Sequence, residues 1–297
     1  MGRFAKSQFW HHIMAAAVGV VWGVTFVSSK VLINAGMQPA EIMTLRFILA
    51  YLCLLPFSLA QKDRLVANSI KDELLLILLG ISGGSLYFLF ENSALVYTQA
   101  SNVSILIATT PLWTMLASTL FTKDLKVKPH TAIFSLVSLA GVVIVVLNGQ
   151  TQLHLHPLGD LLTLGAAFTW VLYSLILKAL DTKYSVSFIT RKVFFYGIIT
   201  MLPYFLIKPW GTTWAMLGQT PVLLNLVFLG IVASFLGYIG WNAAQAKLGP
   251  VKMNLYLYIN PIATALVAVP VLGERFTWIT ALGTLLILGG MYFAMKE

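Results

Sequence analysis

Ten acidic residues occur among 297, and of these only Glu91 falls deep inside a long apolar run. A charge at bilayer depth costs about 2.5–3.5 kcal/mol on insertion scales, so such a carboxyl needs a cation, a proton or water. At about 1.5 Å rise per helical residue, Glu91 lies about 10 Å inside one end of its run. Arg46 and Lys30, on the two preceding runs, lie about 9 Å and about 6 Å inside the same end. The three are expected to form one cluster, with Glu91 paired to Arg46 or Lys30. That cluster could exchange a proton against a basic partner or hold a cationic group of a solute. The plainer readings are a static ion pair for Glu91 and snorkelling to the headgroups for Lys30 and Lys178. Around these charges, Trp22, Tyr87, Asn92, Trp113, Trp170, Tyr173, Trp241, Asn242, Tyr256 and Asn260 offer aromatic and amide groups suited to an amphipathic solute. For any one of them, lipid-facing bulk is the alternative.

Other chemistries find too few parts. Gly80-Ile81-Ser82-Gly83 fits a G-x-S-G string, the lure of an intramembrane serine protease, but a serine nucleophile needs a base at the same depth. All five histidines, His11, His12, His130, His154 and His156, fall in termini or loops. Neither H-E-x-x-H nor a G-x-x-x-x-G-K-[ST] loop occurs, so metalloprotease and ATP-driven readings fall away. The single cysteine, Cys53, allows no intrachain disulfide and no cysteine-based zinc site. No cofactor and no metal are expected. The net charge of +9 sits in short gaps between apolar runs, which argues against nucleic acid.

With 59% hydrophobic and 10% charged residues, the chain lacks the polar surface to coat a soluble globule, and membrane lipid is its expected surrounding. Runs of roughly 20 apolar residues, the length that spans hydrocarbon, are expected near 12–33, 41–60, 73–97, 101–121, 131–148, 158–180, 186–207, 221–244, 251–270 and 276–295. The fold class is therefore all-α integral membrane, with ten transmembrane helices. The first run is too long for a signal-peptide core of about 7–15 residues and should remain as an anchor. Alternation of the runs puts thirteen lysines and arginines on one side of the membrane and only Lys208 and Arg275 on the other. The excess of basic residues places that side, with both termini, in the cytoplasm. Trp10, Trp210, Trp214 and Trp278 fall at run ends, as interfacial belt residues do.

Sliding the sequence on itself by 150 residues brings Leu79-Gly80-Ile81 onto Leu229-Gly230-Ile231, Asn92 onto Asn242, Ala94 onto Ala244 and Thr110-Pro111 onto Asn260-Pro261. A shift of 148 pairs Trp22 with Trp170 and Lys30 with Lys178. Residues 1–150 and 151–297 then form two five-helix repeats, inverted because five is odd, around a central cavity. Pro111 and Pro261 are expected to break their helices mid-span, where transporter sites are sought. Small residues four apart, as in Gly80 and Gly84, suit close helix packing. Trp241 stands where the repeat would place a second Glu91, and the inverted image of the charge cluster is Lys178 with Arg191 or Lys192.

Trp22-Gly23 with Lys30, Arg46-Phe47, Ala94-Leu95-Val96-Tyr97-Thr98-Gln99-Ala100-Ser101 leading to Thr110-Pro111, Asn260-Pro261 and Gly273-Glu274-Arg275 together resemble the drug/metabolite transporter superfamily, in its ten-helix branch with two EamA-type domains. The resemblance covers essentially the whole chain. It implies a basket in which helices 1–4 and 6–9 enclose the cavity, with helices 5 and 10 outside, and a secondary exporter of a small solute such as an amino acid or aromatic metabolite. Lys123-Asp124-Leu125 departs from the Gly-Glu-Arg pattern of the second half. Glu91 is not part of the family pattern, so its role rests on burial alone. A passive channel for small solutes is the alternative that the repeat leaves open.

Overall fold

The computed structural model describes residues 2–121, 128–147, 156–272 and 278–295, and among these every regular element is helical. Lys123-Asp124-Leu125 and Gly273-Glu274-Arg275 lie outside the described residues. Helices α1 (Gly2–Asn34) and α2 (Pro39–Ala60) meet at a turn where Gly36 adopts φ 93°, a conformation free of strain only without a side chain. Helix α3 (Ile70–Gly80) continues through a π-helical segment, Ile81–Ser85, into α4 (Leu86–Tyr97). Then come α5 (Ala100–Ile107), α6 (Thr110–Phe121) and α7 (Pro129–Leu147). The rest comprises α8 (Pro157–Leu180), α9 (Val186–Met201), the single turns α10 (Tyr204–Ile207) and α11 (Trp214–Leu217), and α12 (Thr220–Val227). A second π-helical segment, Phe228–Leu236, leads into α13 (Gly237–Leu255), interrupted at Gly249. A 3-10 turn at Tyr256–Ile259 precedes α14 (Asn260–Leu272), and α15 (Trp278–Met295) completes the described chain.

Six described stretches are long and apolar enough to cross a membrane, the last of them Thr220–Val267 with 48 residues, about twice the length one crossing needs. The segment expected as one span at 101–121 is instead two helices, because the chain turns at Ala108-Thr109. Pro111 and Pro261 each occupy the second position of a helix, where a missing N–H costs nothing, so the expected mid-helix bend takes the form of a stop and a restart. Two of the carbonyls freed at the first break are met locally: the Thr109 hydroxyl donates to the Leu106 carbonyl at 2.6 Å and Thr110 to Ile107 at 2.5 Å.

Close approach of backbones assembles the bundle. Helices α7 and α15 pack on each other through small residues: a Cβ on Gly141 would lie 2.7 Å from the Gly283 carbonyl, and one on Gly290 2.4 Å from Ser138 Oγ. Helix α2 packs on α9 through Phe47, whose ring lies 4.9 Å from that of Phe194.

Helix α2 is fastened at both ends, to residues 209–212 at one and to α9 at the other. At one end, the Glu41 carboxylate, fully buried at the start of α2, accepts from the Gly211 N–H, from the Thr212 N–H at 3.1 Å and from the Thr212 hydroxyl at 2.6 Å. The Gln38 amide donates to the Pro209 carbonyl at 3.1 Å beside it. At the basic end, Asp63 accepts from Ser58 at 2.7 Å, Ser185 at 2.6 Å and Ser187 at 2.5 Å. Arg191 donates to Ser58 Oγ at 2.8 Å and to the Arg64 carbonyl. Lys183 and Tyr184 both donate to Asp72 at 2.8 Å, and Lys192 and Tyr196 to Glu73. Lys178 pairs instead with Asp181 at 3.4 Å, so the expected cluster of Lys178 with Arg191 or Lys192 does not form: one turn of α8 offers Lys178 a nearer carboxylate.

These clasps carry two expected outcomes. Glu41→Ala strands the Gly211 and Thr212 donors and should lower stability by about 2 kcal/mol or more, read as a lower melting midpoint in detergent, with Glu41→Gln intermediate. Burial raises the Asp63 carboxyl, but its serine partners and Arg191 outweigh that and hold its pKa below the ordinary value. A depressed carboxylate contributes stability that is complete above the unfolded pKa, about 3.9, and lost as pH falls through the folded value. Protection of residues 61–69 against hydrogen exchange, taken relative to the intrinsic rate at each pH, should therefore be high at pH 6 and fall at pH 3, and Asp63→Asn should show the lower protection already at pH 6.

Candidate functional site

Five aromatic rings meet at a site bordered by both π-helical segments. Trp22 stacks on Trp241 with ring centroids 4.6 Å apart and meets the edge of Trp170 at 5.1 Å. Trp170 in turn stacks on Tyr173 at 4.8 Å and tilts against Tyr87 at 5.1 Å. An indole or phenol needs a partner when buried, and the π segments supply two. Trp22 Nε1 donates to the Ala233 carbonyl at 2.9 Å, and the Tyr238 hydroxyl donates to the Gly83 carbonyl at 2.5 Å. The segment Gly80-Ile81-Ser82-Gly83 thus serves packing and hydrogen bonding. At Gly83 a Cβ would sit 2.1 Å from the Tyr173 ring.

Trp22, Arg46, Tyr87, Glu91, Trp170 and Asn260 line one cavity together with Thr25, Phe26, Phe88, Ile107, Tyr238 and Leu257. Each lining residue is at most 9% exposed, and the space holds about 20 Å³, room for about one water. Arg46, 1% exposed, donates from Nε to Ser234 Oγ at 2.9 Å and lays its guanidinium 4.2 Å from the Phe88 ring centroid. Tyr87, one helical turn before Glu91, lines the cavity beside it. Arg46 Nη1, Glu91 Oε1 and Asn260 Oδ1 have no hydrogen-bond partner among the described residues.

The expected Glu91 ion pair is absent: the pairs within 4.0 Å among the described residues are Lys178–Asp181, Lys183–Asp72 and Lys192–Glu73. Arg46 is held off by Ser234 and Phe88. Lys30 leaves the expected cluster altogether, donating to the Leu95 carbonyl at 2.6 Å, where it caps the end of α4. Its four-carbon stem reaches the helix end more easily than the cavity.

Several other expected site residues lie off the lining. Asn92 donates to the Pro39 carbonyl at 3.2 Å. Asn242 accepts from the Tyr173 hydroxyl at 2.6 Å and donates to Thr190 at 2.9 Å, so this pair stands behind the aromatic wall. Trp113 donates to Thr109 Oγ1 at 3.1 Å and packs against Phe168, on the far side of the α5/α6 break. Tyr256 shares a hydrogen bond of 2.5 Å with His12 Nδ1. Trp241 backs Trp22 without lining the cavity, and its Nε1 has no partner among the described residues. Thr25, Phe26, Phe88, Ile107, Tyr238 and Leu257 are the lining residues that a sequence reading misses, Phe88 and Tyr238 for a traceable reason. Both sit just after a π segment, which inserts a residue into the turn and rotates the downstream helix by about 100° relative to an unbroken α-helix.

Gly83→Ala should push the Tyr173 ring off Asn242 and cost about 1–3 kcal/mol, measured as a lower melting midpoint with a shifted tryptophan emission.

Comparison with known proteins places this geometry. The model of the EamA-like transporter family matches residues 9–147 and again 157–296. An uncharacterized transporter of Archaeoglobus fulgidus is 27% identical over 288 residues, covering 96% of this chain and 97% of that protein. A probable amino-acid metabolite efflux pump of Escherichia coli is 26% identical over 292 residues, covering 94% and 93%. A solved crystal structure with 17% identity superposes with a TM-score of 0.77 over 96% of both chains, a likeness of fold. With its sequence matched from residue 9 to residue 296, the chain belongs to the EamA-like transporter family.

Proposed function

We propose that this transporter is a secondary exporter that carries a small zwitterionic or amphipathic solute, such as an amino acid, by alternating access. The observation that carries the reading is the pair of orphaned, oppositely charged groups on one narrow cavity, Arg46 Nη1 and Glu91 Oε1. A buried charge left short of partners is costly, and a solute bringing a carboxylate to Arg46 and an ammonium to Glu91 would satisfy both at once. Trp22, Tyr87 and Trp170 would then wall its side chain. The name of the Escherichia coli relative, an amino-acid metabolite efflux pump, agrees with this chemistry.

Alternating access is favoured by size. Sites for small molecules occupy about 300–1,000 Å³, far above the 20 Å³ of this cavity, so the walls must part before a solute enters. The π segments at 81–85 and 228–236, the helix restarts at Pro111 and Pro261 and the chain breaks at Thr98 and Gly249 recur at an offset near 150. They support two inverted repeats with ten crossings, in which α5 with α6 counts as one span and Thr220–Val267 as two. Lys62, Arg64 and Lys183, on the loops at 61–69 and 181–185, support a cytoplasmic position for that end and for both termini, in a cytoplasmic inner membrane.

Countertransport in proteoliposomes, screened over amino acids and aromatic metabolites, tests the reading. Arg46→Gln and Glu91→Gln should each reduce transport at least roughly tenfold, since a hydrogen bond to a charged group contributes about 1.5–3 kcal/mol. Transport unchanged by both substitutions removes the charges from the mechanism, and unitary ionic conductance replaces the carrier by a pore.

A further inference from the structure

A second cleft, of about 470 Å³, opens at the basic end between the 65–70 segment and α9. Its polar floor is Arg191 and Lys192 with Glu73, and its walls are apolar, with Tyr51 and Phe195 tilted against each other at 6.2 Å. The outer rim carries Val66 and Ile70, which are 66% and 82% exposed. Both apolar rim and basic floor are therefore offered to whatever lies beside the helix bundle at that level.

The floor retains unused donors. Of the five N–H groups of Arg191, two serve Ser58 and the Arg64 carbonyl, and of the three on Lys192 one serves Glu73. Glu73 pairs with Lys192 and Asp63 lies beside Arg191 just outside the lining, so the positive excess at the cleft comes from Arg64 and Lys71, which adjoin the lining residues Leu65 and Ile70. We propose that this cleft binds one anionic phospholipid, its phosphodiester on Arg191 and Lys192 and an acyl chain along Tyr51 and Phe195. A monoanionic headgroup offsets part of the excess charge, whereas a zwitterionic one brings a further cation to a floor that already has two. Juxtamembrane basic residues attract anionic lipid for the same electrostatic reason. The excess charge and the apolar walls select together: free phosphate satisfies the first alone and phosphatidylcholine chiefly the second. Because the cleft is separate from the central cavity, the proposal stands whatever solute the transporter carries.

Native mass spectrometry and thermal melting of the full chain, in detergent titrated with phosphatidylglycerol, phosphatidylcholine or inorganic phosphate, test it. Phosphatidylglycerol should be retained as a single adduct at roughly tenfold lower concentration than phosphatidylcholine, the factor expected from one charge-assisted hydrogen bond, and should raise the melting midpoint. Val66→Trp, which fills the cleft from its exposed rim, should leave the lipid-free midpoint unchanged and abolish both effects. Lys192→Gln should weaken the preference for phosphatidylglycerol over phosphatidylcholine. Equal retention of the two lipids overturns the proposal. So does an equal midpoint rise with inorganic phosphate, and so does a phosphatidylglycerol effect that survives Val66→Trp.

Discussion

In hydrocarbon there is no water to complete a hydrogen bond, so every polar group that enters must find its partner inside the protein. The arrangement of this transporter reflects that constraint throughout. Helices satisfy the backbone, and where the helix is interrupted a side chain closes the gap: Thr109 and Thr110 at one break, Lys30 at the end of α4. The π segments do the same in reverse, presenting the Gly83 and Ala233 carbonyls to Tyr238 and Trp22 and so fixing the two sides of the aromatic wall. Several buried side-chain atoms still lack a partner among the described residues, and those of Arg46, Glu91 and Asn260 stand out because all three residues line one space.

The apolar character of the spans was legible from composition alone, since a run of about 20 apolar residues has few other uses. Family membership was legible from the order and duplication of short motifs. The cavity lining was legible where burial of a charge forces attention, at Glu91 and Arg46, and where a tryptophan sits away from the helix ends, at Trp22 and Trp170. It was not legible at Tyr238 and Phe88, because the phase of a helix after a π segment depends on a backbone irregularity that the glycines near 83 hint at without locating. Nor was the fate of Lys30, Asn92, Trp113 and Asn242, whose partners lie on other segments. Depth along a helix can be counted in residues, but the direction a side chain faces is set by packing over long sequence separations.

Glu41 illustrates the same limit. It stands at the third position of α2, where a helix start with Gln38 before it accounts for an acid locally, since its carboxylate also takes the Gln38 N–H at 3.0 Å. Nothing local announces that the same carboxylate also fastens residues 211–212 from the other half of the chain. A capping interaction and a tertiary clasp share one side chain, and only the first is written in neighbouring sequence.

The seam between α2 and α9 has a consequence for how the cavity can open. Clasped through Asp63 and Arg191 and interlocked by phenylalanines, the two helices would have to surrender charge-assisted bonds to separate, while Glu41 ties α2 further to residues 211–212, beyond the end of α9. The pair α7 and α15 would give up mainly apolar and small-residue contacts. Movement in such an assembly takes the path of least work. Under the alternating-access reading proposed above, the α2/α9 seam, one helix drawn from each half of the chain, is the stator against which the other helices would turn.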